Sequence, residues 1–221
     1  MTKIEYVDYV RNSLRMVDKT AKFHRKQVET AINSATNTVF YELYMKNPKS
    51  FRKAMERYAV TLEEDVTTTS ALNLYGVSLT VDVVDLPRAT GGVLEISKRD
   101  LTFDQSGLYT RFVPMTTMQG QQMYNSESAL YRKASTVGSN TTPVGFSYSR
   151  TRQIEFWGMT AADVLDHGQV YVRLIKQFTS YANTDNVNLP YGQDERIIEL
   201  VRQYLGVIPP KDLINNNKDN G

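Results

Sequence analysis

Ile4, Val7, Val10, Leu14 and Val17 follow one another at steps of three and four residues, which places them on one stripe of an amphipathic helix ending near Asp18. From about Thr20 to Met45 a second helical pattern puts Val28, Ala31, Ile32, Ala35, Val39 and Leu43 on one face, and Asn47-Pro48 ends it because proline disfavours helix at the residue before it. A shorter helix is predicted over roughly Lys49–Thr61. After Glu63-Glu64-Asp65 the texture changes: Val66-Thr67-Thr68-Thr69-Ser70 is a β-branched run that suits extended chain.

Period-two alternation then takes over. Val77 to Val83 alternates apolar and polar as a half-buried strand does, Pro87 ends it, and Val93 to Ile96 begins another. Ser128–Lys133 is a weaker strand candidate. Val144, Phe146 and Tyr148 share one face, Ser149 to Arg152 makes a turn, and Ile154-Glu155-Phe156-Trp157 returns as a hairpin. Val170–Phe178 reads as a long strand. After Leu189-Pro190, Ile197, Ile198, Leu200, Val201, Tyr204 and Leu205 form the apolar face of a last helix, with Gly206 placed to cap it. The expected fold is therefore α+β. An N-terminal helical hairpin or bundle (1–66) is joined by a C-terminal helix (186–206), with a central antiparallel β-rich region (67–185) between them. Residues 207–221 are an extended tail, polar beyond Ile214, that is either disordered or an arm ordering on a neighbour.

The chain has 221 residues, 41% of them hydrophobic, enough to bury a real core. It has no cysteine, which removes disulfides, thiolate nucleophiles and cysteine-ligated zinc, and suits a reducing compartment. The opening residues alternate apolar and charged where a secretory signal is continuously apolar, and no run is long enough to span a bilayer, so the chain is read as soluble, cytosolic when made, and without a membrane partner. The formal charge of +2 hides an asymmetry: Met1–Arg57 carries twelve Lys and Arg against six Asp and Glu. A dipolar subunit of this kind favours head-to-tail contacts or turns its basic end toward nucleic acid, and a plainly solvated helix surface is the simpler reading.

Candidate chemistry is sparse. Of the two histidines, His24 sits among Lys22, Arg25 and Lys26, and His167 follows Asp163 and Asp166; neither belongs to a catalytic or metal-binding motif. There is no Gly-rich phosphate loop, no Gly-x-Ser-x-Gly elbow and no His-Glu-x-x-His. Consecutive carboxylates such as Glu63-Glu64-Asp65 point in opposing directions on extended chain and make a poor cation cage. Asn183 and Asp185 lack the glycine and distal glutamate of a calcium loop and read as a turn. No catalytic, cofactor-binding or metal-binding residue is nominated, and no cofactor. Lys19, Lys22, Arg25 and Lys26 form a basic cluster suited to transient, non-specific contact with a DNA backbone, as do Lys46, Lys49, Arg52, Lys53 and Arg57. The accompanying aromatics are spaced for helix packing more than for base stacking.

Several segments together carry a resemblance. The opening helix Tyr9-Val10-Arg11-Asn12-Ser13-Leu14-Arg15-Met16-Val17-Asp18 leads to a long helix with Val28-Glu29-Thr30-Ala31-Ile32-Asn33-Ser34-Ala35, ending Tyr41-Glu42-Leu43-Tyr44. Strands Gln153-Ile154-Glu155-Phe156-Trp157-Gly158 and Val170-Tyr171-Val172-Arg173-Leu174 follow, then Leu189-Pro190 before Ile197-Ile198-Glu199-Leu200-Val201. This order resembles the head-to-tail connector proteins of tailed bacteriophages, and in wording is most similar to the ring proteins of crAss-like phages. The resemblance implies a non-enzymatic virion subunit at the head-tail junction, made in the host bacterial cytoplasm. It would form a ring of about twelve copies below the portal protein, with other connector or tail proteins as further partners, around the channel through which the genome leaves. Val207, Ile208, Leu213 and Ile214 are the expected docking arm. A tail sleeve, a head decoration protein or a nucleic-acid-binding accessory protein is the alternative.

Overall fold

The computed structural model describes residues 1–19, 22–47, 54–63, 75–97, 112–120, 144–148, 152–157, 159 and 168–207. The chain is α+β and divides into two compact units, Met1–Ala54 with Gln177–Gly221, and Met55–Lys176. The first unit holds helices α1 (Lys3–Val17), α2 (Arg25–Lys46) and α3 (Asp194–Tyr204), with a 3-10 turn at Phe178–Ser180. The second holds strands β1 (Glu56–Thr61), β2 (Gly76–Ser78), β3 (Val93–Ser97), β4 (Phe112–Pro114), β5 (Val144–Tyr148), β6 (Gln153–Trp157) and β7 (Gln169–Leu174).

Helix α1 begins where its first N–H groups find acceptors. The Lys3 N–H donates to the Asp185 carbonyl (2.9 Å) and the Ile4 N–H to that of Asn183 (3.2 Å), both on the returning chain. Thr2 caps the helix: its Oγ1 accepts from the Glu5 N–H (3.4 Å), and the Glu5 carboxylate accepts from the Thr2 N–H (2.8 Å). At the start of α2, Gln27 Oε1 accepts from the His24 N–H at 3.0 Å. Helix α3 ends in a Schellman motif: Gly206, at φ +68°, donates to the Gln203 carbonyl (3.2 Å) and Val207 to that of Arg202 (2.9 Å).

The core of this unit is the one the helical stripes anticipate. Val7, Val10 and Leu14 meet Val28, Ala31, Ile32, Ala35 and Val39, and Ile197, Ile198, Leu200 and Val201 cover them from α3. Thr36 is buried among them, its hydroxyl returned to the Ile32 carbonyl at 2.6 Å. Lys3 is also inside, 5% exposed. Its ammonium pairs with Glu29, donates to the carbonyls of Thr179 (3.2 Å) and Tyr181 (2.9 Å), and lies over the Phe178 ring. All three of its donors are used.

In the second unit β1, β7 and β3 form one antiparallel sheet with β7 central, and β2, β6, β5 and β4 form another, antiparallel except for the parallel pair β4–β5. Val170, Val172 and Leu174 of β7 and Ile154, Phe156 and Phe146 of the second sheet share a single core with Val77, Leu79, Val81 and Val83. On the other side of β6, Trp157 donates to Ser147 Oγ (2.9 Å), which donates to the buried Glu155 carboxylate (3.0 Å). A Cβ on Gly120 would lie 2.2 Å from Trp157 Cε2, so glycine is what lets the backbone reach the indole.

Three expectations need correction. Glu56–Thr61 is a strand, not the end of a helix: it pairs with β7 from Glu56↔Leu174 to Thr61↔Gln169, and Tyr58 and Val60 turn toward the core, so tertiary pairing overrides local helix propensity. With β1 paired to β7, Glu56–Thr61 lies in the second compact unit, Met55–Lys176. The strand from Val170 stops at Leu174, because Phe178 sits in the 3-10 turn and packs in the helical core. The run Val77–Val83 keeps its alternating burial, but its ladder covers only Gly76–Ser78, with one further bridge from Val83 to Lys176. The predicted strand Ser128–Lys133, residues 149–151 of the predicted turn, and residues 208–221 lie outside the described residues.

Two outcomes follow for stability. Gly206→Ala forces an L side chain into left-handed backbone in open space, since its Cβ meets nothing within 4 Å; a loss of about 1 kcal/mol in urea denaturation is expected, wholly conformational. Lys3→Met leaves the half-buried Glu29 carboxylate without its ammonium and removes a donor from two carbonyls, and a loss of about 3 kcal/mol is expected by the same measurement. The double variant Lys3→Met/Glu29→Met should recover part of that loss; full additivity would show that the two groups do not act as a pair.

Candidate binding groove

Helix α3 runs out partway along α2. Arg196 near its start donates to Glu42 (2.9 Å) and to Glu199 on its own next turn (2.9 Å). The Tyr204 hydroxyl at its end meets Thr38 Oγ1 at 3.0 Å. The partners on α2 therefore descend as α3 ascends, and beyond Tyr204 the outer face of α2 is left uncovered by α3. An open groove of about 700 Å³ lies there, lined by His24, Lys26, Gln27, Thr30, Ala31, Ser34, Tyr204 and Leu205.

The lining explains what the groove can hold. Gln27, Ala31 and Ser34 follow at steps of four and three, so they share one stripe of α2, and the small side chains of Ala31 and Ser34 let a ligand approach the helix closely. Thr30 has its hydroxyl turned back to the Lys26 carbonyl (2.9 Å), which leaves mainly its methyl to offer. No carboxylate is among the lining residues, and Lys26 and His24 mark one end. Such a site suits an extended apolar segment with an anionic group toward that end. The α2 stripe continues past the groove through Thr38 to Tyr41 and Met45, which are 47% and 64% exposed.

Ionisation follows the same geometry. The Arg196 hydrogen bond holds the Glu42 carboxyl below its ordinary range, and its two carboxylate partners hold the Arg196 guanidinium protonated beyond its ordinary value. Burial first, and the Asp194 charge second, push the Tyr6 phenol far above its usual range; its hydroxyl is enclosed without a well-formed hydrogen bond.

The sequence-nominated residues are placed as follows. Lys19 and Lys22 are exposed between α1 and α2, and Arg25 and Lys26 are exposed on the first turn of α2. Arg25 is engaged, donating to Asp8 of α1 at 3.1 Å, while Lys19, Lys22 and Lys26 make no ion pair with another described residue. The second basic group does not stay together as a helix face: Lys46 closes α2, Arg57 lies on β1 over the Tyr171 ring, and Lys49, Arg52 and Lys53 are outside the described residues. Val207, assigned to the arm from sequence, is instead 6% exposed and part of the helical core, because the Schellman motif folds it back. Ile208, Leu213, Ile214, His167, Glu64 and Asp65 lie outside the described residues.

Glu63 accepts from Ser78 Oγ (2.9 Å), and the Asp185 carboxylate accepts from the Ala182 N–H (2.9 Å), closing a turn. Among the described residues no group of three or more His, Asp or Glu converges as a metal site, and no helix is long and apolar enough to cross a membrane. Sequence reasoning missed the groove and the buried Lys3. The groove left one trace, the small and polar residues at 27, 31, 34 and 38 on a regular stripe of α2; Lys3 left none, since a lysine in a first helical turn reads as solvated. Compared with models of known protein families and with curated protein sequences, the chain matches none of them.

Proposed function

We propose that this chain is a non-enzymatic virion structural protein, a ring-forming head-to-tail connector subunit that links portal to tail around the genome exit channel. The observation that carries the reading is the open groove on α2, with Tyr41 and Met45 exposed farther along the same helix. It is a surface that another length of polypeptide can cover. The element order that underlies the resemblance to connector proteins lends further support: two N-terminal helices, a β-rich middle, and a returning C-terminal helix packed on the first two. Heterologous contacts of this kind close into a ring when the rotation between neighbours is right. Copies of the chain, a portal protein and other connector or tail proteins are the proposed partners, at the head-tail junction of the particle. The exposed Lys19, Lys22 and Lys26 suit passing contact with DNA. They also favour the second reading, a nucleic-acid-binding accessory protein, which tight DNA binding by the isolated subunit in physiological salt would support.

Cryo-electron microscopy of particles is the direct test: a ring of this chain at the head-tail junction is expected, whereas density along the tail or over the capsid would replace the connector with a sleeve or decoration protein. Particles made with the chain truncated after Val207, which keeps the core intact, should accumulate as heads without tails while the truncated subunit stays soluble and helical. Normal tailed particles from that variant would remove the docking arm from the proposal.

A further inference from the structure

We infer that, on the reading of the groove as a docking surface but independently of the virion role, the exposed stripe of α2 docks an acidic helix of a second, different protein.

Spacing gives the shape of the occupant. Gln27, Ala31, Ser34, Thr38, Tyr41 and Met45 follow at steps of four, three, four, three and four, the a and d pattern of a coiled-coil seam sustained along nearly all of α2. This seam lies beside the stripe that α2 turns to its own core, Val28, Ile32, Ala35 and Val39, and Ala31 borders both. From Gln27 to Met45 it runs about 27 Å, the length of a partner helix of about five turns. Ala31 and Ser34 are the holes, deepened by the wall of Tyr204 and Leu205, and Tyr41 and Met45, 47% and 64% exposed, are the knobs. The fitting occupant carries large apolar residues toward the Gln27 end and small ones toward Met45.

Charge gives its chemistry. Lys26 marks one end of the groove, Lys19 and Lys22 precede it in exposed positions, and none of the three makes an ion pair with another described residue. The first turn of α2 has no acidic residue, so the positive end of the helix dipole adds to the same field. Only two carboxylates lie on α2, and both are engaged: Glu29 by Lys3 and Glu42 by Arg196. A helix that brings glutamate or aspartate to this end forms pairs that α2 itself does not supply.

The same charges argue against a second copy. Antiparallel pairing of two α2 helices centred on the seam brings Lys46 of one toward Lys26 of the other, and parallel pairing sets the two lysine clusters side by side. Neither arrangement offers an unengaged carboxylate, so like charge opposes self-pairing while an acidic partner is drawn in.

A displayed library of helical peptides tests this on the immobilised full chain. Each peptide is about three heptads long, with apolar residues at a and d and glutamate or lysine randomised at e and g. Binders should be enriched about tenfold in glutamate over lysine, and Lys26→Glu should weaken that preference at one end of the peptide. Ser34→Tyr, at an exposed position, fills the seam without entering the core and should lose the binders while leaving the helical circular dichroism unchanged. Lysine-rich or charge-indifferent binders that Ser34→Tyr removes would overturn the acidic partner and leave the groove a docking surface. A dimer in sedimentation that Ser34→Tyr returns to monomer would also overturn it, giving the seam to a second copy. Absence of any binder sensitive to Ser34→Tyr would overturn the inference and the docking reading together.

Discussion

The Lys3 ammonium fixes the geometry of the helical unit. Its three donors reach Glu29 on α2 and the carbonyls of Thr179 and Tyr181 on the returning chain, so three elements far apart in sequence meet at one atom. Burying an ammonium costs several kcal/mol, and the gain from its partners roughly offsets that cost, so the net effect on stability is modest. Its contribution is register. Apolar stripes are non-directional, whereas the ammonium requires a carboxylate and two carbonyls at one nitrogen, which the observed alignment of α1, α2 and the returning chain supplies. Phe178, packed against Tyr6 with ring centroids 5.9 Å apart, closes the site from above and keeps it dry.

What the sequence makes legible is what local periodicity dictates. The faces of α1 and α2, the cap at Gly206, and the pairing of Phe146 with Phe156 in the β5–β6 hairpin depend on residues a few positions apart, and each is where the pattern puts it. The strand β1 is illegible for the opposite reason. Its partner β7 lies far downstream, and Glu56-Arg57-Tyr58-Ala59 has nothing local that forbids a helix. Phe178 shows a third kind of limit: it follows the apolar run Val170 to Ile175 after only Lys176-Gln177, but the residue belongs to a different core, and composition carries no label for which core an apolar side chain enters.

The candidate surface follows the same division. The four basic residues are exposed as their polarity suggests, yet Arg25 is drawn to Asp8 once α1 and α2 are side by side, so the cluster is weaker as a free charge than its sequence implies. Tyr204 lies on the stripe that buries Ile197 and Val201, and only its hydroxyl contact with Thr38 turns it into a groove wall. Val207 shows how one backbone motif moves an apparent boundary: the residue is apolar and follows a helix-ending glycine, as an arm residue would, but the hydrogen bond to Arg202 returns it to the core.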